Sequence, residues 1–226
     1  MTAHPFFVTA SGTDIGKTYV STGLISALRK KGRAVDALKP LITDFTPKTA
    51  PGSDTALMLK ALGRDVTEEA MAELSPWRYE AALAPDMAAA REGKSVPYDE
   101  VVALCARRRD DSPDGTVLIV EGAGGVLVPV DHTHTMCDFM GDLAATPILV
   151  VGSYLGTISH TLTALEALQS RDLHPIAIMV SETPEAGIPL EDTCDAIRRF
   201  TGKVPVIPVP RGDQVAFDQL ADLVRV

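Results

Sequence analysis

The chain has 226 residues, of which 46% are hydrophobic and 23% charged, and a net charge of −9. Such a composition can bury a sizeable core, and the acidic balance argues against a general affinity for DNA or RNA backbones. Three scattered cysteines, Cys105, Cys137 and Cys194, form no C-x-x-C pair, which points away from a disulfide or thiolate-metal scaffold and toward a reducing compartment.

In chain order, the opening "MTAHPFFVTASG" has too short an apolar run and no basic leader for a signal peptide. No later run reaches the ~18 apolar residues of a membrane helix. A soluble, cytoplasmic protein with neither nucleic-acid nor membrane partners is expected. "PFFVTA" (5–10) reads as a strand, and "GKTYVSTGLISALRKKG" (16–32) as a helix closed by basic residues and a glycine. "AVDALKP" (34–40) is the next strand. "TDFTPKTAPGSD" (43–54) follows as a loop of the kind that serves active sites. Helices are predicted at 53–63, 98–110, 159–172 and 189–202. Strands are predicted at 116–122, 146–152, 175–181 and 204–210, several of them nearly continuous apolar runs. This alternation predicts an α/β fold with a mostly parallel central sheet and helices on both faces. With no repeat and no shift in composition, residues 1–226 read as a single domain.

The chemistry concentrates at turns that follow strands. "FFVTASGTDIGKT" takes a hydrophobic strand through small residues into Gly-Lys-Thr at a helix start, the context of a phosphate-binding loop. There, backbone N–H groups and the helix dipole favour a phosphate. Lys17 can reach the β- and γ-phosphates, and the Thr18 hydroxyl can ligate Mg²⁺. The general motif asks for glycine where Ser11 stands. "VLIVEGAGG" delivers Glu121 to the carboxyl end of a strand, where open sheets collect ligands, either as a magnesium ligand or as a turn cap. Lys39, fixed by Pro40, leaves the second strand at the same sheet edge, either for a ligand or for solvent. Asp54 can ligate Mg²⁺ or, with Ser53, cap a helix; the residues alone favour the cap.

These pieces together resemble dethiobiotin synthetase, an ATP-dependent ring-closing family of biotin synthesis, over essentially the whole chain. Its phosphate loop carries an extra residue, commonly G-T-D-T-x-V-G-K-T, and "ASGTDIGKT" matches from Thr13 onward, with Ala10 in place of the first glycine. "KPLIT", "GSDTALM", "VEGAGGVLVPV" and "YLGTISHTLTALEAL" match further family segments. The resemblance implies a P-loop NTPase fold, with Lys39, Lys17 and Thr13 as catalytic residues. ATP is implied to lie against Asp14, Ile15, Gly16, Lys17, Thr18, Tyr19, Glu121, Ser181 and Pro210. Thr43, Gly122, Gly124, Gly156, Thr157 and Ser159 are implied at the substrate, the last three contributed by the second subunit of a homodimer. Thr18, Asp54 and Glu121 are implied to hold Mg²⁺. The implied reaction joins 7,8-diaminononanoate, CO₂ and ATP into dethiobiotin, ADP and phosphate. Three departures stand out: Asp86 where the family has histidine, Ser181 and Glu182 where it often has a base-reading asparagine, and Ser159 for asparagine.

Other readings explain less. ATP switch proteins of the partitioning type share the fold but carry a second lysine in K-G-G-x-x-G-K-T, whereas residues 10–13 here are Ala, Ser, Gly and Thr. An amidotransferase synthetase needs a glutaminase domain for which the chain has no room. Asp131, His132, His134, Cys137 and Asp138 suggest zinc by residue type, but their spacing matches no closed structural site.

Overall fold

The computed structural model describes residues 3–183 and 187–225. The readings of the opening segment and of 179–184 therefore extend partly outside the described residues. Six strands form one parallel sheet: β1 (His4–Ala10), β2 (Val35–Leu38), β5 (Val117–Glu121), β6 (Thr146–Gly152), β7 (Ile178–Ser181) and β8 (Val206–Val209). Their order is β2-β5-β1-β6-β7-β8. The order turns at β1, between β5 and β6, and in an open sheet such a point leaves a crevice at the carboxyl ends of the strands.

Alternation along β1 divides the core. Phe7 joins Leu118 and Val120 on one face, whereas Phe6 and Val8 join Val117 and Ile119 on the other. Helices α1 (Lys17–Lys30), α2 (Asp54–Ala61), α3 (Glu68–Leu74) and α9 (Val215–Leu223) cover the second face. Helices α4 (Pro85–Arg91), α5 (Tyr98–Asp111), α6 (Met136–Asp142), α7 (Thr157–Gln169) and α8 (Leu190–Arg198) cover the first. Each fully buried aliphatic or phenylalanine side chain stabilises this arrangement by about 1.5–3 kcal/mol relative to exposure.

Two strand boundaries differ from the sequence reading. The predicted strand 34–40 ends at Leu38, and after Pro40 the chain starts β3 (Leu41–Ile42), which pairs with β4 (Trp77–Arg78) in a separate two-stranded parallel sheet. The predicted strand 175–181 is assigned only from Ile178, although Ile176 N already donates to Pro147 O (3.0 Å) and Ala177 O accepts from Leu149 N (3.1 Å). The helix predicted from 159 starts two residues earlier, at Thr157, after the left-handed Gly156 (φ 96°). Helices α3, α4 and α9 lie in segments that carried no helix prediction; each spans only seven to nine residues, about two turns of pattern. Among the described residues no helix is long and apolar enough to cross a membrane.

Candidate active site

β1 ends at Ala10, and residues 11–16 turn sharply into α1. The turn needs two left-handed residues, Asp14 (φ 57°) and Gly16 (φ 108°), and only glycine adopts the second without strain. A Cβ on Gly16 would also lie 2.6 Å from Ser181 Oγ. Ala10 in place of glycine leaves the path of the loop pinned. Its carbonyl accepts from Val126 N (3.0 Å), and Ser11 N donates to Val150 O (3.0 Å). Gly125 packs directly on this start of the loop, where a Cβ would stand 3.3 Å from Ala10 O and Gly12 N.

Four charged side chains meet where α1, β2, β5 and α2 converge. Lys39 Nζ lies 2.6 Å from Glu121 Oε1 and 2.9 Å from Asp54 Oδ2, and it donates to Gly122 O at 3.3 Å. Thr18 Oγ1 donates to Glu121 Oε1 at 2.9 Å. Lys17 Nζ donates to Gly12 O at 3.2 Å. Lys39 is 3% exposed, Lys17 7% and Glu121 0%. Burial pulls the Lys39 ammonium toward neutrality, but Glu121 and Asp54 outweigh it and hold Lys39 firmly charged. Lys17 has no such tight partner, so burial and the repulsion of Lys39 bring it down to about 8. Burial raises the Asp54 carboxyl, but Lys39 and a Thr18 hydrogen bond outweigh it and leave the carboxyl below its ordinary value.

This cluster opens on a cavity of about 930 Å³ lined by Thr13, Asp14, Gly16, Lys17, Thr18, Lys39, Thr43, Asp54 and Gly124, all predicted site residues. Glu121 and Gly122 do not line the cavity themselves; they lie behind Lys39, whose ammonium donates to the Glu121 carboxylate and the Gly122 carbonyl. The structure places other predicted residues differently. The Ile15 side chain packs into the core below the loop and leaves only its backbone for a ligand. Ser181 Oγ is buried beneath Gly16 with no hydrogen-bond partner among the described residues, so it faces the loop backbone and not the open cavity. Tyr19 and Pro210 do not line the cavity but stand together beside Arg211, which does; Tyr19 Oη donates to Pro210 O at 3.4 Å and accepts from Gly212 N at 2.9 Å. Gly156, Thr157 and Ser159 do not line the cavity of their own chain, and the Thr157 hydroxyl is committed to Gly152 O at 2.7 Å. The Asp86 side chain does not line it either.

Sequence reasoning did not single out Lys48 and Arg211, which also line the cavity. Arg211 follows Pro210 directly, so "VPVPRG" held the signal. His134, one of the residues suggestive of zinc, instead bonds Asp131 (3.0 Å) and stacks on Tyr98 at 3.8 Å between ring centroids.

The cluster also suits a divalent cation. Glu121 Oε2 is fully buried with no hydrogen-bond partner among the described residues, and Asp54 and Thr18 add two more hard oxygens at the same place. Two carboxylates and a hydroxyl form an incomplete shell, as expected for Mg²⁺, which keeps waters and takes phosphate oxygens from its nucleotide.

A family profile described as an AAA domain matches residues 4–216. Curated relatives named ATP-dependent dethiobiotin synthetase align along most of the chain. The protein from Caulobacter sp. (strain K31) is 44% identical over 216 residues, covering 96% of this chain and 92% of its own. That from Methylobacterium nodulans is 44% identical, covering 91% and 92%, and that from Acidiphilium cryptum 41%, covering 88% and 89%. The chain belongs to the dethiobiotin synthetase family.

Membership of the dethiobiotin synthetase family agrees with the fold found among solved structures. The MinC:MinD complex of Aquifex aeolicus superimposes with a TM-score of 0.54 at 15% identity, covering 96% of this chain and 86% of that one. HypB of Helicobacter pylori also gives 0.54, at 13% identity, covering 98% and 85%. At such identities the likeness shows a shared fold alone.

Proposed function

We propose that the chain catalyses the ATP-dependent carboxylation and ring closure of 7,8-diaminononanoate to dethiobiotin, in the cytoplasm and as a single domain. The observation that carries the reading is the buried Lys39, held by Glu121 and Asp54 within one cavity with Lys17 and Thr18 of the phosphate loop. One amine of the substrate adds to CO₂ and loses a proton to become a carbamate. A carbamate oxygen attacks the γ-phosphorus, and ADP departs. The second amine then attacks the carbonyl, expels phosphate and closes the cyclic urea.

Each residue type answers a need of this sequence. Carbamate and triphosphate are both anions, and Lys17 and Lys39 offset the repulsion of bringing them together. The amides of residues 14–19 at the start of α1 hold the phosphates. Thr13 and Thr43, both on the cavity wall, are placed to hydrogen-bond the carbamate or γ-phosphate. Thr18, Asp54 and Glu121 would hold Mg²⁺, which would supply positive charge to neutralise the phosphates. No nucleophilic side chain is needed, since positioning and electrostatics supply most of the acceleration.

The enzyme acts in this reading as a homodimer in which Gly156–Ser159 of one protomer receives the substrate carboxylate bound in the other. Support comes from the exposure of that turn: Leu155 is 89% exposed and the α7 start carries no acidic residue. Incubating the protein with labelled bicarbonate, the diamine and ATP should yield an acid-stable labelled product with one ADP per product. ATP hydrolysis that ignores the diamine would defeat the assignment.

A further inference from the structure

The turn after β8 places a planar cation beside the phosphate loop. Arg211 is exposed and lines the main cavity, and its guanidinium lies over the Tyr19 ring at 4.8 Å from the centroid. Both ends of the residue are fixed by Glu182. Arg211 N donates to Glu182 Oε2 at 2.7 Å, and Nε donates to the Glu182 carbonyl at 3.1 Å. Tyr19 is held in turn by Pro210 O and Gly212 N and by an edge-to-face contact with the buried Phe217. The guanidinium edge comes within 3.8 Å of the point where a Cβ on Gly16 would stand, so it flanks the last residue before the phosphate-binding helix.

We infer that Arg211 is the platform on which the base of the bound nucleotide stacks, with Tyr19 beneath it and Glu182 as its positioning residue. A guanidinium is flat and weakly hydrated and stacks well on aromatic faces. Its first face rests on Tyr19, and a nucleoside whose phosphates occupy the cradle at Gly16–Thr18 brings its base past the second. Two side-chain oxygens on this side are withdrawn from the base, because Ser181 Oγ is buried beneath Gly16 and Glu182 Oε2 accepts from Arg211 N. Stacking therefore supplies the contact to the base, while the phosphates are held by Lys17 and the loop amides.

The inference rests on the nucleotide reading of the site, and titration calorimetry separates the two. The probes are Mg·ADP, which carries a base, and Mg·tripolyphosphate, which does not. Arg211→Ala should weaken Mg·ADP about 10-fold, the order expected for one lost base stack, while leaving tripolyphosphate within about 2-fold. Arg211→Lys keeps the charge but not the plane, so it should behave like Arg211→Ala. Equal loss for both probes, or recovery in Arg211→Lys, would make Arg211 a phosphate contact and overturn the stacking assignment. Unchanged Mg·ADP affinity in Arg211→Ala would overturn it as well, with the nucleotide site intact. A wild-type protein that binds neither probe would bring down the nucleotide reading and this inference together.

Discussion

Lys39 and Lys17 lie in the same cavity, yet they have opposite electrostatic fates. Lys39 is clamped by two carboxylates and stays charged; Lys17 is buried without a close partner and falls to about 8. Its pKa is thus below the ordinary lysine value of 10.5. Between those two values the unfolded chain binds more protons than the folded one, so this group makes the free protein more stable as pH rises through that window. Nucleotide acts in the other sense, because a triphosphate favours the charged lysine. At pH 8 binding should therefore take up about half a proton. Calorimetry in buffers of different ionisation heat reads this directly. No uptake at pH 8, or the same uptake in Lys17→Arg, would contradict it.

Lys39→Gln tests the other lysine. Turnover should fall at least about 10³-fold, since a preorganised charge facing the reacting anions is lost, while the nucleotide KM changes no more than about 3-fold. Glu121 is then left buried without its ion pair, a change that ordinarily costs about 3–5 kcal/mol. The variant should accordingly melt lower than wild type in chelator and regain more stability than wild type when Mg²⁺ is added. Near-normal turnover, or a variant whose melting ignores Mg²⁺, would remove Lys39 and Glu121 from the roles given them.

At the scale of elements, what the sequence disclosed follows from pattern length. β6 was predicted with its observed ends, and α1 and α5 to within about two residues, because each holds its period over a full element. Lys17 and Thr18 were legible for a different reason, a strand, a small-residue turn and a helix start in succession. Lys39, Glu121 and Asp54 became legible only through the family resemblance, because the residues alone left the first two open and read Asp54 as a cap. Arg211 was not legible, because its role depends on a cation–π contact with a residue 192 positions earlier. Ser181 was misplaced because sequence alone does not reveal that Gly16 packs on it. The α1–α9 contact is equally long-range. Gly23 stands mid-helix, where a Cβ would lie 2.5–2.6 Å from ring atoms of the buried Phe217. Gly23→Ala gains about 1 kcal/mol of helix propensity but overpacks a tight contact at about 1–3 kcal/mol. A net loss of up to about 2 kcal/mol, or up to about 4–8 °C in Tm, is expected for a chain of this size. A higher Tm would mean that the ring has room to move.

The whole molecule adds the question of where one site ends. Lys39 lines the cavity of its own chain, whereas Ser159, at the exposed start of α7, does not. If the substrate carboxylate is received by the partner's α7, then Lys39→Gln and Ser159→Glu damage the same site from different chains. A glutamate at a helix start that binds an anion repels that anion, so each variant alone should be nearly inactive. Mixing them with subunit exchange gives hybrid dimers in which one site carries both lesions and the other carries neither. Random exchange makes half the dimers hybrid, so about a quarter of wild-type activity should return. Sites confined to one chain predict no recovery, because every site then keeps one lesion. The mixture should be assayed beside light scattering, since recovery requires that both variants remain dimeric. Dimers that exchange subunits without regaining activity would place the carboxylate pocket within a single protomer.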